Sequence, residues 1–175
     1  MQNKKILIAG YYGFKNTGDE AILSSMLASM RAQRKDIDFI VVSGNPSETE
    51  EHHQVQAVHW QNFQQISEVV KISDLVILGG GGLFQDYWGV DKSLLLTSNA
   101  YRSSIPYYGS FAYWAVLYDK PFMIYAVGVG PLRTDEGKEL TRSVFSLADS
   151  VTIRDNHSKK LLLSLEIPED KLLVT

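Results

Sequence analysis

The sequence contains no cysteine among its 175 residues, which excludes disulfides, zinc–thiolate sites and thiol catalysis from this chain. Runs of basic residues are also missing. The 17 Lys and Arg against 20 Asp and Glu give a formal net charge of -3, which does not favour nucleic-acid binding. No apolar run approaches the roughly 20 residues of a membrane-spanning helix, and the first residues lack the pattern of a signal peptide. We expect a cytoplasmic protein with at most a peripheral contact at the inner face of the cell membrane.

Short apolar runs alternate along the chain with segments of helical period. With 45% hydrophobic and 21% charged residues, the composition fits one globular domain. The alternation predicts an α/β fold, a Rossmann-like parallel sheet with helices on both faces. The nearly continuous apolar runs agree, because buried parallel strands have no wet face. The predicted strands are residues 5–10, 39–44, 75–80, 122–128 and 151–154, and the predicted helices are residues 18–34, 61–72, 135–148 and 156–165.

Two segments outside this alternation carry separate expectations. Residues 46–54, rich in Glu and His, are expected to form a solvated loop. His52 and His53 are expected at the surface rather than on a metal ion, since adjacent side chains rarely point at one ion. The final stretch, EDKLLVT, looks like the opening of another strand. We therefore expect residues 1–175 to be the amino-terminal domain of a longer protein, with a carboxy-terminal domain absent from this chain.

Glycines follow three of the predicted strands. They are Gly10 and Gly13 after the first strand, Gly79 to Gly82 after the third, and Gly128 and Gly130 after the fourth. Glycine has no Cβ, so such turns let a ligand approach the backbone, although each can also be a tight turn only. Ligands of open parallel sheets bind outside the carboxyl ends of the strands. Three glycine loops at one predicted edge therefore favour a ligand crevice there.

The first loop, GYYGFKNTGDEAIL, resembles a phosphate-binding loop in its glycines but not in its charges. Where a P-loop has Lys and a hydroxyl residue, this sequence has Asp19 and Glu20. A helix N-terminus attracts anions, but two carboxylates in its first turn would repel a phosphate. The loop therefore suits sugar hydroxyls, which Asp19 could orient or deprotonate; alternatively, Asp19 only stabilises the helix. Thr17 and Glu20 fit a T-x-x-E capping box at the helix start.

The second loop, GGGGLFQDYWG at residues 79–89, places polar side chains beside aromatic rings. A sugar site needs both, because one face of a pyranose stacks on an aromatic ring while its hydroxyls need hydrogen-bond partners. Gln85, Asp86 and Tyr87 are the candidates in this loop. The aromatic residues could equally belong to the core.

Two arginines lie just beyond predicted strand ends, at Arg133 and Arg154. A guanidinium at such a position can hold a carboxylate or a phosphate through two hydrogen bonds. It can also pair with a neighbouring acid such as Asp155. Because Asp155 or Asn156 is explained as the cap of the next helix, Arg154 is the better candidate for anion binding.

Four motifs together make the sequence recognisable. GYYGFKNTGDEAIL, LVILGGGGLFQD, YAVGVGPL and VTIRDNHS, in this order and spacing, resemble the amino-terminal half of the polysaccharide pyruvyl transferase family, in particular its CsaB-type members. The resemblance implies transfer of the enolpyruvyl group of phosphoenolpyruvate to two hydroxyls of a sugar, forming a pyruvate ketal and releasing phosphate. It also implies one half of a two-domain GT-B fold, with this half on the acceptor side. In CsaB-type members the implied acceptor is a lipid-linked cell-wall glycan precursor containing N-acetylmannosamine, whose ketal later anchors surface-layer proteins.

The resemblance also gives roles to the candidate residues. Asp19 is the candidate catalytic residue, and Arg154 is the residue expected near the donor. The candidate acceptor-binding residues are Gly13, Asn16, Thr17, Gly80, Gly81, Gln85, Asp86 and Tyr87. No cofactor or metal is expected, since phosphoenolpyruvate enters as the donor substrate. The histidine acid of the family has no evident counterpart in this chain and is expected in the carboxy-terminal domain.

Two other functions stay open on the sequence alone. A sugar-nucleotide glycosyltransferase of the same architecture would share the glycine loops but would bind a donor diphosphate. A standalone carbohydrate-binding or oligomerisation module would need no catalytic residue. A pyruvylated product with released phosphate would identify the transferase, whereas hydrolysis of a sugar nucleotide would identify the glycosyltransferase.

Overall fold

The computed structural model describes residues 3–175 and contains one sheet flanked by helices. The strands are β1 (Lys4–Tyr12), β2 (Ile37–Ser43), β3 (Gln56–His59), β4 (Leu75–Gly79), β5 (Gly82–Phe84), β6 (Phe122–Val129), β7 (Ser150–Ile153) and β8 (Leu172–Val174). The helices are α1 (Thr17–Gln33), α2 (Pro46–His53), α3 (Phe63–Ile72), α4 (Ile105–Leu117), α5 (Asp135–Leu147) and α6 (Asn156–Ser164). Two short 3-10 helices cover Lys92–Leu94 and Glu169–Lys171.

All strand pairs are parallel, and the sheet runs in the order β3-β2-β1-β4-β6-β7-β8, with β5 beside β6. The strand order reverses direction between β1 and β4. At such a point the loops after the two strands diverge and leave a crevice at their carboxyl ends. The predicted Rossmann-like parallel sheet is confirmed, and the predicted strands correspond to β1, β2, β4, β6 and β7.

Side chains of the central strands enter two separate cores, because successive strand residues point to opposite faces of a sheet. Ile6 and Ile8 of β1 lie in the smaller core, together with Leu23 of α1. Leu7 and Ala9 lie in the larger core, which also holds buried side chains of α3, α4, α5 and α6. Helices therefore cover both faces of the sheet, as predicted.

Helix α1 begins at an asparagine cap. The side-chain oxygen of Asn16 accepts a hydrogen bond from the Gly18 N–H at 3.0 Å, which satisfies a donor of the first turn. The predicted capping box of Thr17 and Glu20 is therefore wrong, since the cap lies one residue earlier. Glu20 instead accepts a hydrogen bond from the Gly13 N–H at 2.7 Å and so ties the preceding loop to the helix.

The segment predicted as a solvated loop at residues 46–54 is a helix instead, α2 (Pro46–His53). Asn45 caps this helix, and Pro46 stands in its first turn, where a missing N–H costs nothing. Thr49 is its buried residue, so no apolar stripe marks the helix in the sequence.

Two short strands are also absent from the predicted set. Strand β3 has four residues, and only Val58 among them is buried. Strand β5 lies inside the second glycine loop and pairs with β6 through Gly82 opposite Gly128 and Phe84 opposite Val129. Strand β3 therefore lacks the apolar run that marks β7, which is equally short, and β5 is too short to show a strand pattern of its own.

Helix α4 is buried along most of its length. Tyr107, Tyr108 and Phe111 are at most 1% exposed. The Tyr107 ring meets those of Tyr108 and Phe111 edge-on, with centroids 5.3 and 5.6 Å apart, an arrangement that aromatic pairs favour. No helix within residues 3–175 is both long and apolar enough to cross a membrane.

Candidate active site

An open cleft of about 570 Å³ lies at the carboxyl edge of the sheet, between the loops that follow β1 and β4. This is the switch point of the strand order, where open parallel sheets bind their ligands. Among the predicted site residues, the cleft brings together Asn16, Asp19, Gly81, Gln85 and Arg154. Residues separated by long stretches of sequence therefore face one space.

Asp19 is a buried carboxylate without a hydrogen-bond donor of its own. Its side chain is 8% exposed, and no group within residues 3–175 donates a hydrogen bond to it. Burial and the neighbouring Glu20 raise the pKa of Asp19, and the positive charge of Arg154 partly opposes that shift. Oδ1 lies against Gly81, whose φ is +71° and which has no room for a Cβ. An unpaired carboxylate with a raised pKa is suited to accept a proton from a hydroxyl.

Asp86, the second buried carboxylate, differs from Asp19 because several groups donate hydrogen bonds to it. Its oxygens accept hydrogen bonds from the Arg133 N–H at 2.7 and 2.8 Å, and from the N–H and the hydroxyl of Thr134 at 2.7 Å each. Burial acts to raise the pKa of Asp86, but these hydrogen bonds outweigh it and lower the pKa below its ordinary value. The Thr134 hydroxyl also caps α5 by accepting from the Gly137 N–H. Asp86 thus fastens the second glycine loop to the start of α5.

Arg154 lies beside the start of β5, at Gly82, and the end of β6, at Gly128. Its guanidinium packs over the backbone of Gly128, where a Cβ would approach Nη2 to 2.7 Å. Nε donates to Asp155 Oδ2 at 3.2 Å, and Asp155 Oδ1 in turn caps α6 by accepting from the Ser158 N–H. The side chain is 54% exposed, and its two terminal nitrogens donate to no group within residues 3–175. The alternative ion pair between Arg154 and Asp155 therefore exists, but it leaves the two terminal nitrogens of the guanidinium free.

Gly13 lies outside the cleft, in a neighbouring cavity of about 270 Å³. Glu20 crosses this cavity: Oε1 accepts from the Gly13 N–H, and Oε2 lies 3.2 Å from His53 Nε2. The side chain of His53 is only 10% exposed, so its expected surface position is wrong, whereas His52 is exposed as expected. Gly13 is therefore bound by Glu20, which His53 contacts in turn, and does not line the cleft.

The remaining predicted residues lie at other positions around the loops. Thr17 is exposed on α1. Gly80 has φ +81° and packs against Tyr12, where a Cβ would come within 2.9 Å of the hydroxyl. Tyr87 is 49% exposed, and the Arg133 guanidinium lies 5.2 Å from its ring centroid. Contact of these residues with an acceptor stays a prediction.

Several residues of the cleft are not anticipated by the sequence patterns. Tyr11, Ser103 and Tyr108 line it, and Arg102 stands beside Ser103 with its guanidinium 4.6 Å from the Phe14 ring centroid. The connection that ends at α4 returns to the carboxyl edge of the sheet. The Ser-Ser-Ile-Pro sequence at the start of α4 could have indicated this position. A crossover helix begins near the carboxyl edge of the sheet, where the preceding strand ends.

The cleft offers a carboxylate, a guanidinium and uncharged polar and aromatic groups, while residues 3–175 hold no cluster of three His, Asp or Glu side chains fit for a metal ion. A sequence model of the family described as polysaccharide pyruvyl transferase matches residues 16–175, which include Asp19 and Arg154. The chain belongs to the polysaccharide pyruvyl transferase family. This membership supports a role in polysaccharide biosynthesis.

One relative of this chain is the amylovoran biosynthesis protein AmsJ of Erwinia amylovora. The two are 22% identical over 210 aligned residues, which cover 97% of this chain and 47% of AmsJ. The chain thus spans about half the length of the relative that it matches.

Solved structures similar to this chain share its architecture. The UDP-N-acetylglucosamine 2-epimerase of Methanocaldococcus jannaschii has a TM-score of 0.61 at 14% identity, over 98% of this chain and 45% of that enzyme. Anabaena HepE in complex with UDP has a TM-score of 0.59 at 10% identity, over 97% and 43% of the two chains. At such identities the likeness shows the fold alone. The prediction that the chain resembles one half of a GT-B-like protein is confirmed.

Proposed function

We propose that this enzyme transfers the enolpyruvyl group of phosphoenolpyruvate onto two hydroxyls of a sugar in a cell-envelope glycan precursor. The products are a pyruvate ketal and inorganic phosphate. The observation that carries the proposal is the presence, in one cleft, of the unpartnered Asp19 carboxylate and the free end of the Arg154 guanidinium. The carboxylate suits a hydroxyl nucleophile, and the guanidinium suits an anionic donor.

On the acceptor side, Asp19 takes the proton of the attacking hydroxyl. The raised pKa of the carboxyl makes it a better base than an ordinary aspartate. Its lack of internal hydrogen bonds leaves both oxygens available to the sugar. Asn16 and Gln85, which also line the cleft, supply amide groups for further hydroxyls.

On the donor side, Arg154 holds the carboxylate or the phosphate of phosphoenolpyruvate. In the reaction the methylene carbon of the donor gains a proton and its second carbon forms a bond to one acceptor oxygen. A second acceptor hydroxyl then displaces the phosphate at the same carbon and closes the ketal. Each acceptor oxygen loses its proton, and the phosphate leaves with the electron pair of the broken C–O bond.

The general acid and the remaining cations belong, in this proposal, to a carboxy-terminal domain. Support comes from AmsJ, about twice as long as this chain, and from the GT-B-like architecture, in which two such domains face a shared cleft. The CsaB-type motifs extend the proposal to a lipid-linked acceptor containing N-acetylmannosamine. The reaction would then occur at the inner face of the cell membrane, and the ketal would serve to anchor surface-layer proteins.

The experiment that tests this function compares two donors with one acceptor pool. Envelope glycan of the producing organism is stripped of its ketals by mild acid and offered, with phosphoenolpyruvate or with UDP-sugars, to the enzyme carrying both domains. We expect equal amounts of released phosphate and of acid-labile ketal, detected by mass spectrometry, with phosphoenolpyruvate only. Sugar transfer from UDP-sugars without ketal formation would overturn the proposal.

A further inference from the structure

A second depression adjoins the cleft on the side of the long connection between β5 and α4. It has a volume of about 700 Å³ and lies between residues 85–94 and residues 101–106. Gln85 and Ser103 line both spaces, so the groove and the cleft are continuous. We call this depression the side groove. Each of the two spaces is within the usual size range of a small-molecule site, about 300–1,000 Å³, and together they exceed it, which leaves room for an extended ligand.

The exposed aromatic side chains of the described chain all belong to this region. Trp88 is 99% exposed, Tyr101 is 75% exposed and Tyr87 is 49% exposed. The other aromatic residues within residues 3–175 are buried or half-buried. Trp88 and Tyr101 both line the side groove, one in each of the two stretches of chain that form it. Exposed aromatic surface gathered along one groove is typical of an interaction site.

Polar side chains lie where the cleft meets the side groove, and they also indicate the kind of ligand. The side chains of Gln85 and Ser103 make no hydrogen bond within residues 3–175, while both line the cleft and the side groove. Asp91, the one acid in the groove lining, accepts from the N–H and the hydroxyl of Ser93 through Oδ1. The groove therefore offers aromatic faces, one free amide, one free hydroxyl and the second carboxylate oxygen of Asp91. Neutral carbohydrate is recognised by this combination.

We propose that the side groove binds the sugar residues of the acceptor that follow the one being pyruvylated. The sugar rings stack on Trp88 and Tyr101, and Gln85 and Ser103 bind hydroxyls where the chain passes from the cleft into the groove. This inference rests on the proposed function and deepens it, because it makes the acceptor an oligosaccharide rather than a single sugar. Continuity with the cleft that holds Asp19 favours the acceptor chain as the occupant over a membrane or a second copy of the protein.

The test measures how affinity depends on acceptor length. Ketal-free oligosaccharides of one, two and four sugar residues, prepared from the envelope glycan of the producing organism, are titrated calorimetrically into the 175-residue chain. Trp88→Ala and Tyr101→Ala are compared with Leu117→Ala, which removes a side chain that is 67% exposed at the far end of α4. Because all three side chains lie at the surface, we expect the variants to fold, and their circular dichroism spectra check this.

We expect the wild-type Kd to fall by at least about tenfold from the single sugar to the tetrasaccharide, which corresponds to about 1.4 kcal/mol. Trp88→Ala and Tyr101→Ala should each remove most of that gain without changing the Kd of the single sugar, and Leu117→Ala should keep it. Equal affinity for all lengths overturns the inference while leaving the proposed function intact. Binding to no oligosaccharide at all overturns both.

Two further measurements on the same samples separate the other occupants. Quenching of Trp88 by acrylamide is followed with the tetrasaccharide and with vesicles of phosphatidylcholine and phosphatidylglycerol, and sedimentation gives the oligomeric state. Protection by the tetrasaccharide alone supports the oligosaccharide. Protection by vesicles alone, or dimerisation that Trp88→Ala abolishes, overturns it in favour of a membrane or a second copy.

Discussion

The carboxylate of Asp19 packs directly against the backbone of Gly81, so that a side chain at position 81 would collide with Oδ1. The two glycine loops are therefore in contact through Asp19, whose carboxylate lines the cleft and accepts no hydrogen bond within residues 3–175. Glycine at position 81 sets the position of Asp19, and the backbone conformation there, with φ +71°, is one that other residues rarely adopt.

Gly81→Ala is therefore expected to reduce both stability and activity. Gly89→Ala is the control for stability, because Gly89 has a similar φ of +80° but no atom within 4 Å of the added Cβ. Strain alone should lower the free energy of unfolding of Gly89→Ala by about 1–2 kcal/mol. Gly81→Ala should lose more, since it adds the collision with Asp19. Urea unfolding checks this, and equal losses in the two variants would contradict the contact.

Replacing each of the two buried carboxylates with its amide should separate their roles. Asp19→Asn loses no hydrogen bond, so its free energy of unfolding should change by less than about 1 kcal/mol, while kcat falls by roughly a hundredfold or more if Asp19 is the base. Asp86→Asn faces the N–H groups of Arg133 and Thr134 with a donor of its own, and should lose about 1–3 kcal/mol of stability. Chemical denaturation and steady-state kinetics on both variants check the pair. Full activity in Asp19→Asn would reduce that residue to a helix-stabilising role.

The same two carboxyl groups should give opposite pH dependences of stability. The folded state raises the pKa of Asp19, so the native protein retains that proton longer than the unfolded chain as pH rises. Stability from Asp19 is therefore lost as pH rises from the ordinary aspartate pKa, near 3.8, to the folded value. Asp19→Asn should accordingly gain stability relative to wild type across that window and then level off.

Asp86 behaves in the opposite direction, because its pKa is lowered by folding. Its contribution is present above the ordinary pKa of aspartate and is lost as pH falls through the folded value. The difference in stability between wild type and Asp86→Asn should therefore shrink on acidification. Unfolding free energies measured from pH 3 to pH 7 in steps check both trends, and parallel curves for the two variants would contradict them.

Much of this architecture follows from local sequence pattern. The five predicted strands and α1, α3, α5 and α6 are visible because each has enough apolar residues to show a run or a period. Helix α2 and strand β3 are not, since Thr49 and Val58 are their single buried residues. The asparagine before Pro46 was the usable signal for α2, because it combines a cap with a first-turn proline.

The sequence identifies the candidate carboxylates of the site, but it does not show that they have different roles. Asp19 and Asp86 look alike in sequence, as a carboxylate beside glycines. The hydrogen-bond donors of Asp86 lie 47 and 48 residues further along the chain, in a loop that only the folded sheet brings near. The absence of donors around Asp19 is likewise a property of tertiary packing. Sequence pattern therefore finds the candidates, and burial with hydrogen bonding tells the structural carboxylate from the available one.

Arg154→Lys separates a donor clamp from a surface ion pair. The Asp155 contact is exposed and single, and such pairs contribute about 0–1 kcal/mol, so the melting temperature should hardly change. Lysine keeps the charge but not the planar fork, so kcat/KM for phosphoenolpyruvate should fall at least tenfold in the enzyme with both domains, with acceptor KM little changed. Arg142→Lys is the control, because Arg142 forms an exposed pair with Glu166 away from the cleft. A loss of stability with unaltered donor kinetics would support the ion pair instead.

The connection from β5 to α4 is fixed at both ends by its own hydrogen bonds. Asp86 is held by Arg133 and Thr134 at one end, and at the other the Ser104 hydroxyl accepts from the Tyr107 N–H and so caps α4. The stretch between these anchors carries Trp88 and Tyr101 yet contributes no strand to the sheet. On the binding proposed for the side groove, this stretch is a separable specificity module: exchanging the residues between Asp86 and Ser104 should change which glycan binds, while the carboxyl edge of the sheet keeps its geometry.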